Sequence, residues 1–215
     1  MAPKFIRSLL IVTLMLTALL VLPATPVRAE GLTPVEPAFP ALGTFTSWLN
    51  NGQANQLRGV YVPNLIADSV VQQPADQGTF VSPRQNILTQ FNMTASLGST
   101  GLLAHNFLAG EKFSMMQYGQ IVYLVYGDGR TATYMITHVL RYQALQPNSP
   151  YSNFLDLSSG NKLSSSDLFS TAYGRSGSVV FQTCIASDGL STWGRLFVVA
   201  EPYVQLSAAL PANAQ

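Results

Sequence analysis

The stretch VVFQTCIASDGLSTWGRLFVVAEP, residues 179–202, decides the fold. It opens with β-forming residues that lead to Cys184, and it closes with a second β-rich run that begins at Arg195. Between the two runs lies a turn-rich segment, Ile185–Gly194, that contains Gly and Ser. Two such runs joined by such a segment predict adjacent strands. The pattern therefore places a thiol at the end of one strand, where it can face a guanidinium at the start of the next.

The N-terminus has the composition of an export signal. Lys4 and Arg7 precede an apolar core of 14 residues, Leu9–Leu22, and Val27–Ala29 offers small residues of the kind that a signal peptidase reads. The core is short for a spanning helix. We therefore predict a cleaved signal at residues 1–29, with an uncleaved membrane anchor as the alternative. Either way, the rest of the chain is expected to be secreted or held at the extracytoplasmic side of the cell envelope.

Cys184 is the only cysteine of the chain. Disulfides form readily in exported proteins, so a single cysteine there is paired between chains, buried and inert, or kept as a reactive thiol. An inert core cysteine is a serious alternative because free cysteines are often buried. The position at a strand end, together with the export signal, favours the reactive thiol.

Removal of residues 1–29 leaves 186 residues, which suffices for one domain with a full core. It also removes three of the eleven basic residues and none of the ten acidic ones, which gives a net charge of −2. The remaining basic residues are few and scattered, so the sequence predicts no nucleic-acid partner. We expect a linker or loosely docked arm at 30–57, the catalytic domain at 58–205 and a flexible tail at 206–215.

Many short strands follow one another with little helix between them. Gln120–Tyr126 is an apolar strand, Gly127–Gly129 is a strong hairpin signal, and Thr131–Tyr142 is the partner strand, whose even positions are expected to share one face. This pattern predicts a mostly β fold, namely a mostly antiparallel barrel.

Helices are predicted at three places in the chain. Ser47–Leu57 has the composition of a short helix, and Ser82 with Pro83 resembles a helix start that leads into residues 86–91. Ser164–Phe169 resembles a capped helical turn. It lies within Gln143–Ser178, a long polar segment, and loops of this length in compact domains are usually functional or partly helical.

The chain has two histidines that could partner the thiol, His105 and His138. His105 follows a short apolar strand and enters a loop, which is the usual place for a functional side chain. His138 lies in the middle of a strand beside Ile136 and Leu140, a position typical of a packed and hydrogen-bonded core residue. The pattern favours His105 as the partner of Cys184.

Arg195 admits two interpretations. It could pair with a surface acid, an arrangement of small energetic value. It could also present its N–H donors beside the thiol and bind a developing oxyanion or a substrate carbonyl. Cationic neighbours also stabilise a thiolate.

The order of these residues resembles the sortase family of cysteine transpeptidases. The family has a Thr-Leu-x-Thr-Cys strand, an arginine on the next strand and a histidine well upstream, as in VFQTC ending at Cys184, WGRLFVVA around Arg195, and LAH ending at His105. The opening strand YVPNLIADSVV at 61–71 and the segment YGQIV at 118–122 agree with the family as well. The similarity covers about residues 58–202.

Departures from the family pattern accompany this resemblance. Val180 and Phe181 stand where Thr-Leu is usual, and Asn106 follows the histidine where Arg or Thr is common. No clear acidic cluster for calcium is visible, so we predict no metal and no cofactor.

The resemblance implies a closed barrel of about eight strands with short helices, and a site of His105, Cys184 and Arg195. By the family's chemistry, Cys184 forms a thioacyl enzyme, His105 moves protons and Arg195 stabilises the oxyanion, while Thr183 and Asn106 position the substrate. The partners implied are a peptide sorting signal of other exported proteins and an amine-bearing acceptor.

Two alternatives remain open from the sequence. The same three side chains serve an exported cysteine hydrolase, in which water replaces the amine. A sortase-shaped binding module without activity is the other, and the intact set of three residues argues against it.

Overall fold

The computed structural model describes residues 39–203. They belong to one compact unit that begins at Phe39. The export segment predicted at 1–29 and the tail predicted at 206–215 lie outside the described residues. Within residues 39–203, none of the helices combines the length and the apolar character needed to span a membrane.

Ten strands, two α-helices and two 3₁₀ helices make up residues 39–203. The helices are α1 (Leu42–Leu49) and α2 (Ser165–Tyr173), and the 3₁₀ helices are Asn92–Leu97 and Ala109–Met115. The strands are β1 (Leu57–Val62), β2 (Ile66–Gln72), β3 (Ile87–Phe91), β4 (Thr100–Leu103), β5 (Ile121–Tyr126), β6 (Thr131–Ala144), β7 (Phe154–Asp156), β8 (Lys162–Leu163), β9 (Val179–Ser187) and β10 (Leu190–Pro202).

Eight of these strands close into a barrel. The order around it is β1-β2-β3-β4-β9-β10-β6-β5, and β5 pairs with β1 to complete the circle. The pairs β2–β3 and β4–β9 are parallel, while the other pairs of the barrel are antiparallel. The long β6 also pairs with β7, and β7 with β8. The predicted fold class, a mostly β closed barrel of about eight strands with short helices, is confirmed.

The barrel interior is filled by apolar side chains from every one of its strands. Ile66, Leu102 and Phe181 are examples from three of them, and all are fully buried. The 3₁₀ helix Ala109–Met115 adds Phe113, whose ring meets that of Phe181 edge-on at 5.2 Å between centroids. The segment that follows His105 is therefore anchored in the barrel core.

Helix α2 covers the outer face of β9 and β10. Its N-terminus is a capping box, because the Ser164 hydroxyl accepts from the backbone N–H of Asp167 and the Asp167 carboxylate accepts from that of Ser164. The capped turn predicted at Ser164–Phe169 is thus the start of a longer helix. Leu168 and Tyr173 of α2 pack in a second apolar cluster that also contains Val180 and Phe197.

Helix α1 covers the outer face of β1 and β5. Phe45 and Leu49 are buried in a third cluster with Tyr61 and Val125, and Gly59 leaves the room for their side chains. The helix predicted at Ser47–Leu57 thus begins and ends earlier than the sequence indicated. Its residues, which were expected to belong to the linker or arm at 30–57, pack against the barrel.

The helical turns predicted at residues 86–91 are absent from this part of the structure, and the prediction is wrong. Ile87–Phe91 is strand β3, which pairs in parallel with β2 and antiparallel with β4. The Ser82 hydroxyl accepts from the backbone N–H of Arg84, which makes a local turn and not a helix start.

A bulge in β6 reverses the facing of its side chains. Val199 opposes His138 and Ala200 opposes Ile136, so Thr137 is an extra residue on β6. Ile136 points into the barrel, whereas Leu140 packs in the outer cluster under α2. The expectation that the even positions of this strand share one face is therefore wrong across the bulge, and His138 lies on the outer face.

Candidate active site

Cys184 and Arg195 are direct cross-strand partners in the antiparallel pair of β9 and β10. Val179 and Phe181 of β9 belong to the interior cluster, while Val180 belongs to the outer one. Because side chains alternate along a strand, Cys184 points to the outer face with Val180. The same alternation along β10 places Arg195 on that face with Phe197. The two side chains therefore leave the sheet at paired positions on one face, in the arrangement that the sequence predicted.

The connection that precedes Arg195 is tighter than expected. Residues Ile185–Gly194 were predicted to be a loop, but β9 continues to Ser187 and β10 begins at Leu190, with a two-residue turn between them. Asp188 and Gly189 have φ angles of 53° and 76°. Positive φ at both central residues is typical of two-residue hairpin turns whose twist matches that of the flanking strands. The irregularity lies in β10. Gly194, four residues after Leu190, pairs with Ile185, which is only two residues before Ser187, the partner of Leu190.

This irregular segment of β10 holds the guanidinium of Arg195. Its Nη1 donates to the backbone carbonyls of Thr192 at 3.0 Å and of Gly194 at 2.9 Å. Within residues 39–203, the Nη2 and Nε donors make no hydrogen bond, and Arg195 forms no ion pair. One edge of the guanidinium is therefore fixed, and its other donors are free for a ligand.

His105 lies immediately beyond β4. Leu103 opposes Gln182 in the parallel pair of β4 and β9, and the backbone N–H of Ala104 donates to the carbonyl of Gln182 at 3.2 Å. Continuing this register places His105 opposite Cys184. Its carbonyl accepts from the N–H groups of Leu108 and Gly110, both at 3.0 Å, so the backbone at this position is held in a tight turn.

The imidazole of His105 stacks on the ring of Phe107, at 5.3 Å between centroids and 20° between planes. Phe107 is 65% exposed, so the stacked pair lies at the surface. In the part of the chain that the structure describes, no hydrogen bond joins the imidazole to Cys184. The imidazole thus lies at the surface, at the strand position opposite Cys184.

His138 occupies a different place from the one predicted. It is half-buried on the outer face, where its Nδ1 lies 3.0 Å from the Thr137 hydroxyl and its Nε2 lies 3.5 Å from Arg175 Nη2. It opposes Val199, four residues along β10 from Arg195, or about 13 Å at the rise of a strand. His138 is hydrogen-bonded as expected, but it is not a core residue, and it lies away from the thiol.

Asn106 and Thr183 both lie near the strand end that carries Cys184. The Asn106 Nδ2 donates to the carbonyl of Ser191 at 3.0 Å, which ties the histidine loop to β10. Thr183 points to the interior face of β9 and is 4% exposed. Both residues line a cavity of about 260 Å³ whose wall also includes Cys184.

A larger cavity, of about 470 Å³, lies on the outer face beside Arg195. Its lining includes six aromatic residues and comes from α2, from β7 and the segment before it, from the 3₁₀ helix Asn92–Leu97, and from β3, β9 and β10. The lining residues include Phe91, Tyr151, Phe154, Phe169, Tyr173 and Gln182. The sequence indicated a function for the long segment at 143–178, but it did not identify the side chains that line this cavity. The available signal was the presence of aromatic residues in that segment.

The row of cross-strand partners that starts at Cys184 and Arg195 continues to a tyrosine and an aspartate on the next two strands. Tyr142 opposes Arg195 on β6, and Asp156 opposes Tyr142 on β7. Burial, together with the charge of Asp156, raises the pKa of Tyr142. Hydrogen bonds from Ser158 hold the pKa of Asp156 below its ordinary value. Tyr142 therefore stays neutral, and Asp156 is the nearest anion along this row.

A thiol beside a guanidinium and level with an imidazole has the elements of nucleophilic acyl chemistry. Guanidinium groups can in general stabilise a nearby thiolate, and imidazoles can move a proton to or from a leaving or attacking group. Among residues 39–203, no group of three or more His, Cys, Asp and Glu side chains is placed to hold a metal ion.

No protein-family model matches the chain, and no curated protein matches it. Solved structures similar to it include sortase A of Listeria monocytogenes, at 13% identity and a TM-score of 0.43, covering 69% of this chain and 87% of that one. Sortase C-1 of Actinomyces oris is similar at 15% identity and a TM-score of 0.43, with 69% and 73% covered. Sortase E1 of Streptomyces coelicolor, solved with a tripeptide in the active site, is similar at 16% identity and a TM-score of 0.44, with 72% and 91% covered. All three are sortases, the family that the sequence motifs resemble.

Proposed function

We propose that this protein is an exported, sortase-like cysteine transpeptidase. It cleaves a peptide sorting signal of other exported proteins and transfers the acyl part to an amine. The observation that carries the proposal is the cross-strand pair of Cys184 and Arg195 on one face, with His105 level with the thiol. The family resemblance of the same three residues supports it.

The first half of the reaction forms a thioacyl enzyme. The Cys184 sulfur attacks the carbonyl carbon of the scissile peptide bond, and the free N–H donors of Arg195 stabilise the negative charge that develops on the carbonyl oxygen. The carbon–nitrogen bond then breaks, and His105 protonates the leaving amine. The products of this half are a thioester at Cys184 and a released peptide with a new N-terminus.

The second half transfers the acyl group. An amine attacks the thioester carbon, His105 accepts a proton from it, and the carbon–sulfur bond breaks to return Cys184. Thr183 and Asn106 are proposed to position substrate. Asn106 acts indirectly by holding the loop that follows His105, because its side-chain amide donates to the carbonyl of Ser191.

The 470 Å³ cavity is proposed to bind the peptide signal. It lies beside Arg195, and the apolar rings of Phe154, Phe169 and Tyr173 on its wall suit an apolar side chain. The hydroxyl of Tyr173 donates to the amide oxygen of Gln182, which orients that amide on the same wall. We therefore propose a signal with a bulky apolar residue close to the scissile carbonyl.

The setting of this activity is the cell envelope or the medium. The signal sequence at 1–29 supports export, and its uncleaved form would supply a membrane tether. Both alternatives place the enzyme where exported proteins pass.

The test uses pooled synthetic peptides and hydroxylamine as the amine. A transpeptidase gives an acyl mass on Cys184 in intact-mass spectra and a hydroxamate product, and both disappear in Cys184→Ala. A hydrolase gives carboxylic acids in place of hydroxamates, and a binding module gives no acyl mass. In addition, iodoacetamide should alkylate Cys184 faster near neutral pH than it alkylates an unperturbed cysteine in a peptide. Alkylation at the peptide rate, without any acyl mass, would contradict the proposal.

A further inference from the structure

A buried carboxylate points into the barrel from a strand that contributes no side chain to the candidate site. Asp68 is 1% exposed and lies on β2 between Ile66 and Val70, both of which belong to the interior cluster. Because alternate residues of a strand share a face, Asp68 points into the same interior. Its Oδ1 accepts from Lys112 Nζ at 2.7 Å, and its Oδ2 has no hydrogen-bond partner within residues 39–203.

The ion pair of Asp68 and Lys112 contributes little stability that apolar side chains could not supply. Removing two charges from water carries a large desolvation cost, and apolar residues of similar volume often replace a buried ion pair without loss of stability. The best-attested use of such a pair is to fix the register or the orientation of an element. The element that this pair can orient is the one to which Lys112 belongs.

Lys112 belongs to the 3₁₀ helix Ala109–Met115 and is bonded to two separate parts of the sheet. Its Nζ donates to Asp68 Oδ1 on β2 at 2.7 Å and to Asn86 Oδ1, just before β3, at 2.8 Å. The backbone carbonyl of Asn86 in turn accepts from the N–H of Ser69 on β2 at 3.0 Å, so both acceptors are fixed relative to one another. The lysine therefore sets how the 3₁₀ helix sits on these two strands.

The same 3₁₀ helix is joined to the backbone of His105. The carbonyl of His105 accepts from the N–H groups of Leu108 and Gly110, both at 3.0 Å. A Cβ at Gly110 would lie 2.7 Å from that carbonyl oxygen and 2.8 Å from the carbonyl oxygen of Ala104, so the turn and the helix are packed without room for a methyl group. A shift of the helix must therefore move the backbone of His105.

We propose that Lys112 is a positioning residue for His105. Held by Asp68 and Asn86, it orients the 3₁₀ helix, and through Gly110 the helix fixes the backbone from which the imidazole projects. This inference rests on the proposed function, in which the imidazole protonates the leaving amine. It assigns a part in that reaction to side chains that lie outside the site.

The first measurement follows the turn itself and needs no substrate. Hydrogen–deuterium exchange, read by mass spectrometry on peptides that span residues 105–115, reports how often the N–H groups of Leu108 and Gly110 are released. Lys112→Met removes both hydrogen bonds of the Nζ and should speed this exchange several-fold. Asn86→Gly removes only one of them, at an exposed position whose φ of 57° suits glycine, and should give a smaller rise.

Phe45→Ala is the matched control for a loss of stability. Phe45 is buried under α1 in the cluster with Tyr61 and Val125, so its removal should lower the melting temperature by an amount comparable to that of Lys112→Met. It leaves the contacts of residues 105–115 unchanged. Exchange in that segment, measured well below the melting temperature, should therefore equal that of the parent protein.

The second measurement separates protonation of the leaving group from attack by the thiol. The pooled peptides are prepared with the scissile amide and, in a second set, as 4-nitrophenyl esters at the same carbonyl, and the rate of acyl mass formation on Cys184 is followed. A nitrophenolate leaves without a proton from His105, whereas an amine requires one. General acid catalysis contributes about 10²–10⁴-fold, so Lys112→Met should slow amide acylation on the order of tenfold and ester acylation by less than about twofold.

The inference is overturned if folded Lys112→Met keeps the parental exchange at 105–115, if Phe45→Ala gives the same rise, or if amide and ester acylation slow equally. Should Lys112→Met not fold, parental exchange in Asn86→Gly overturns it.

These outcomes are distinct from a failure of the proposed function. If the variants exchange faster but the parent protein forms no acyl mass from any peptide, the proposed function fails and the link between Lys112 and the His105 turn stands. If the parent forms the acyl mass and both variants exchange like the parent, the proposed function stands and the positioning role fails.

Discussion

Arg195 faces Cys184 across the β9–β10 pair, yet its guanidinium is held by carbonyls of its own strand, those of Thr192 and Gly194. The two hydrogen bonds occupy Nη1 only. They fix the plane of the guanidinium and leave Nη2 and Nε without a partner among the described residues. The irregular segment of β10 therefore fixes one end of the guanidinium at the strand position paired with Cys184.

Replacing Arg195 by lysine tests whether oriented donors or charge alone is required. Lysine keeps the charge but loses the planar set of donors, so Arg195→Lys should lower turnover on the order of a hundredfold, as removal of one oxyanion donor typically does. The measurement is hydroxamate formation under saturating amine. Arg130→Lys, at an exposed ion pair with Asp128, is the matched control and should leave turnover unchanged. Equal rates for Arg195→Lys and the parent would show that Arg195 acts only as a surface charge.

The two histidines should separate cleanly in function. His105→Ala should remove turnover and leave the free energy of unfolding nearly unchanged, because the side chain lies at the surface on Phe107. His138→Ala should keep turnover and cost about 1 kcal/mol, the value of a typical hydrogen bond. Turnover assays and denaturant titrations of both variants decide between them. Loss of activity in folded His138→Ala, with activity retained in His105→Ala, would reverse the assignment.

Phe169→Ala should change the preferred peptide. Its half-buried ring packs at 5.1 Å from that of Tyr173 on the wall of the 470 Å³ cavity, so its removal enlarges the space beside Arg195. We expect larger apolar residues to be accepted near the scissile bond, with the rate of Cys184 alkylation unchanged. The measurement is the ranking of pooled peptides by hydroxamate yield. An unaltered ranking would place recognition elsewhere on the barrel.

Lys112 stabilises a buried carboxylate in the barrel. Asp68 is 1% exposed, its Oδ1 accepts from Lys112 Nζ at 2.7 Å, and its Oδ2 has no partner within residues 39–203. Lys112→Met leaves this charge unpaired and should cost about 3–5 kcal/mol at neutral pH. Denaturant titration checks this value. Arg130→Met, at an exposed pair, should cost at most about 1 kcal/mol.

The cost of Lys112→Met should depend on pH. Burial raises the pKa of Asp68 above its ordinary value of 3.8, and the hydrogen bond and charge of Lys112 oppose that rise. A carboxyl whose pKa is raised on folding contributes most stability below 3.8, and this contribution is lost as pH rises through the folded pKa. Without Lys112 the pKa rises further, so the variant should regain stability on acidification. A cost that is independent of pH would show that the loss is one of packing.

The sequence was a good guide where a local signal matched the final structure. The hairpin at Gly127–Gly129 and the cap at Ser164 are such signals, since a turn or a cap is fixed by a few adjacent residues. The pair of Cys184 and Arg195 was predictable for the same reason, because two adjacent strands in a hairpin bring their facing residues together.

The errors arose where distant contacts decide the structure. Residues 86–91 have no periodicity that separates a short strand from a helical turn, and they form β3 because β2 and β4 supply partners on both sides. The bulge at Thr137 depends on the register with β10 and has no signature in the sequence. Both cavities combine side chains from several elements, so the place of Phe169 on a cavity wall could not be read from its position in the chain.

Closure of the barrel stops short of Cys184 on one side. Strand β9 is paired with β10 from Val179 to Ser187, but its parallel pairing with β4 ends at Leu103 and Gln182. In the described part of the chain, the β4-facing edge of β9 from Thr183 to Ser187 therefore has no strand partner. An unpaired strand edge can bind an extended segment through main-chain hydrogen bonds. The thiol thus lies on a short open margin of an otherwise closed sheet.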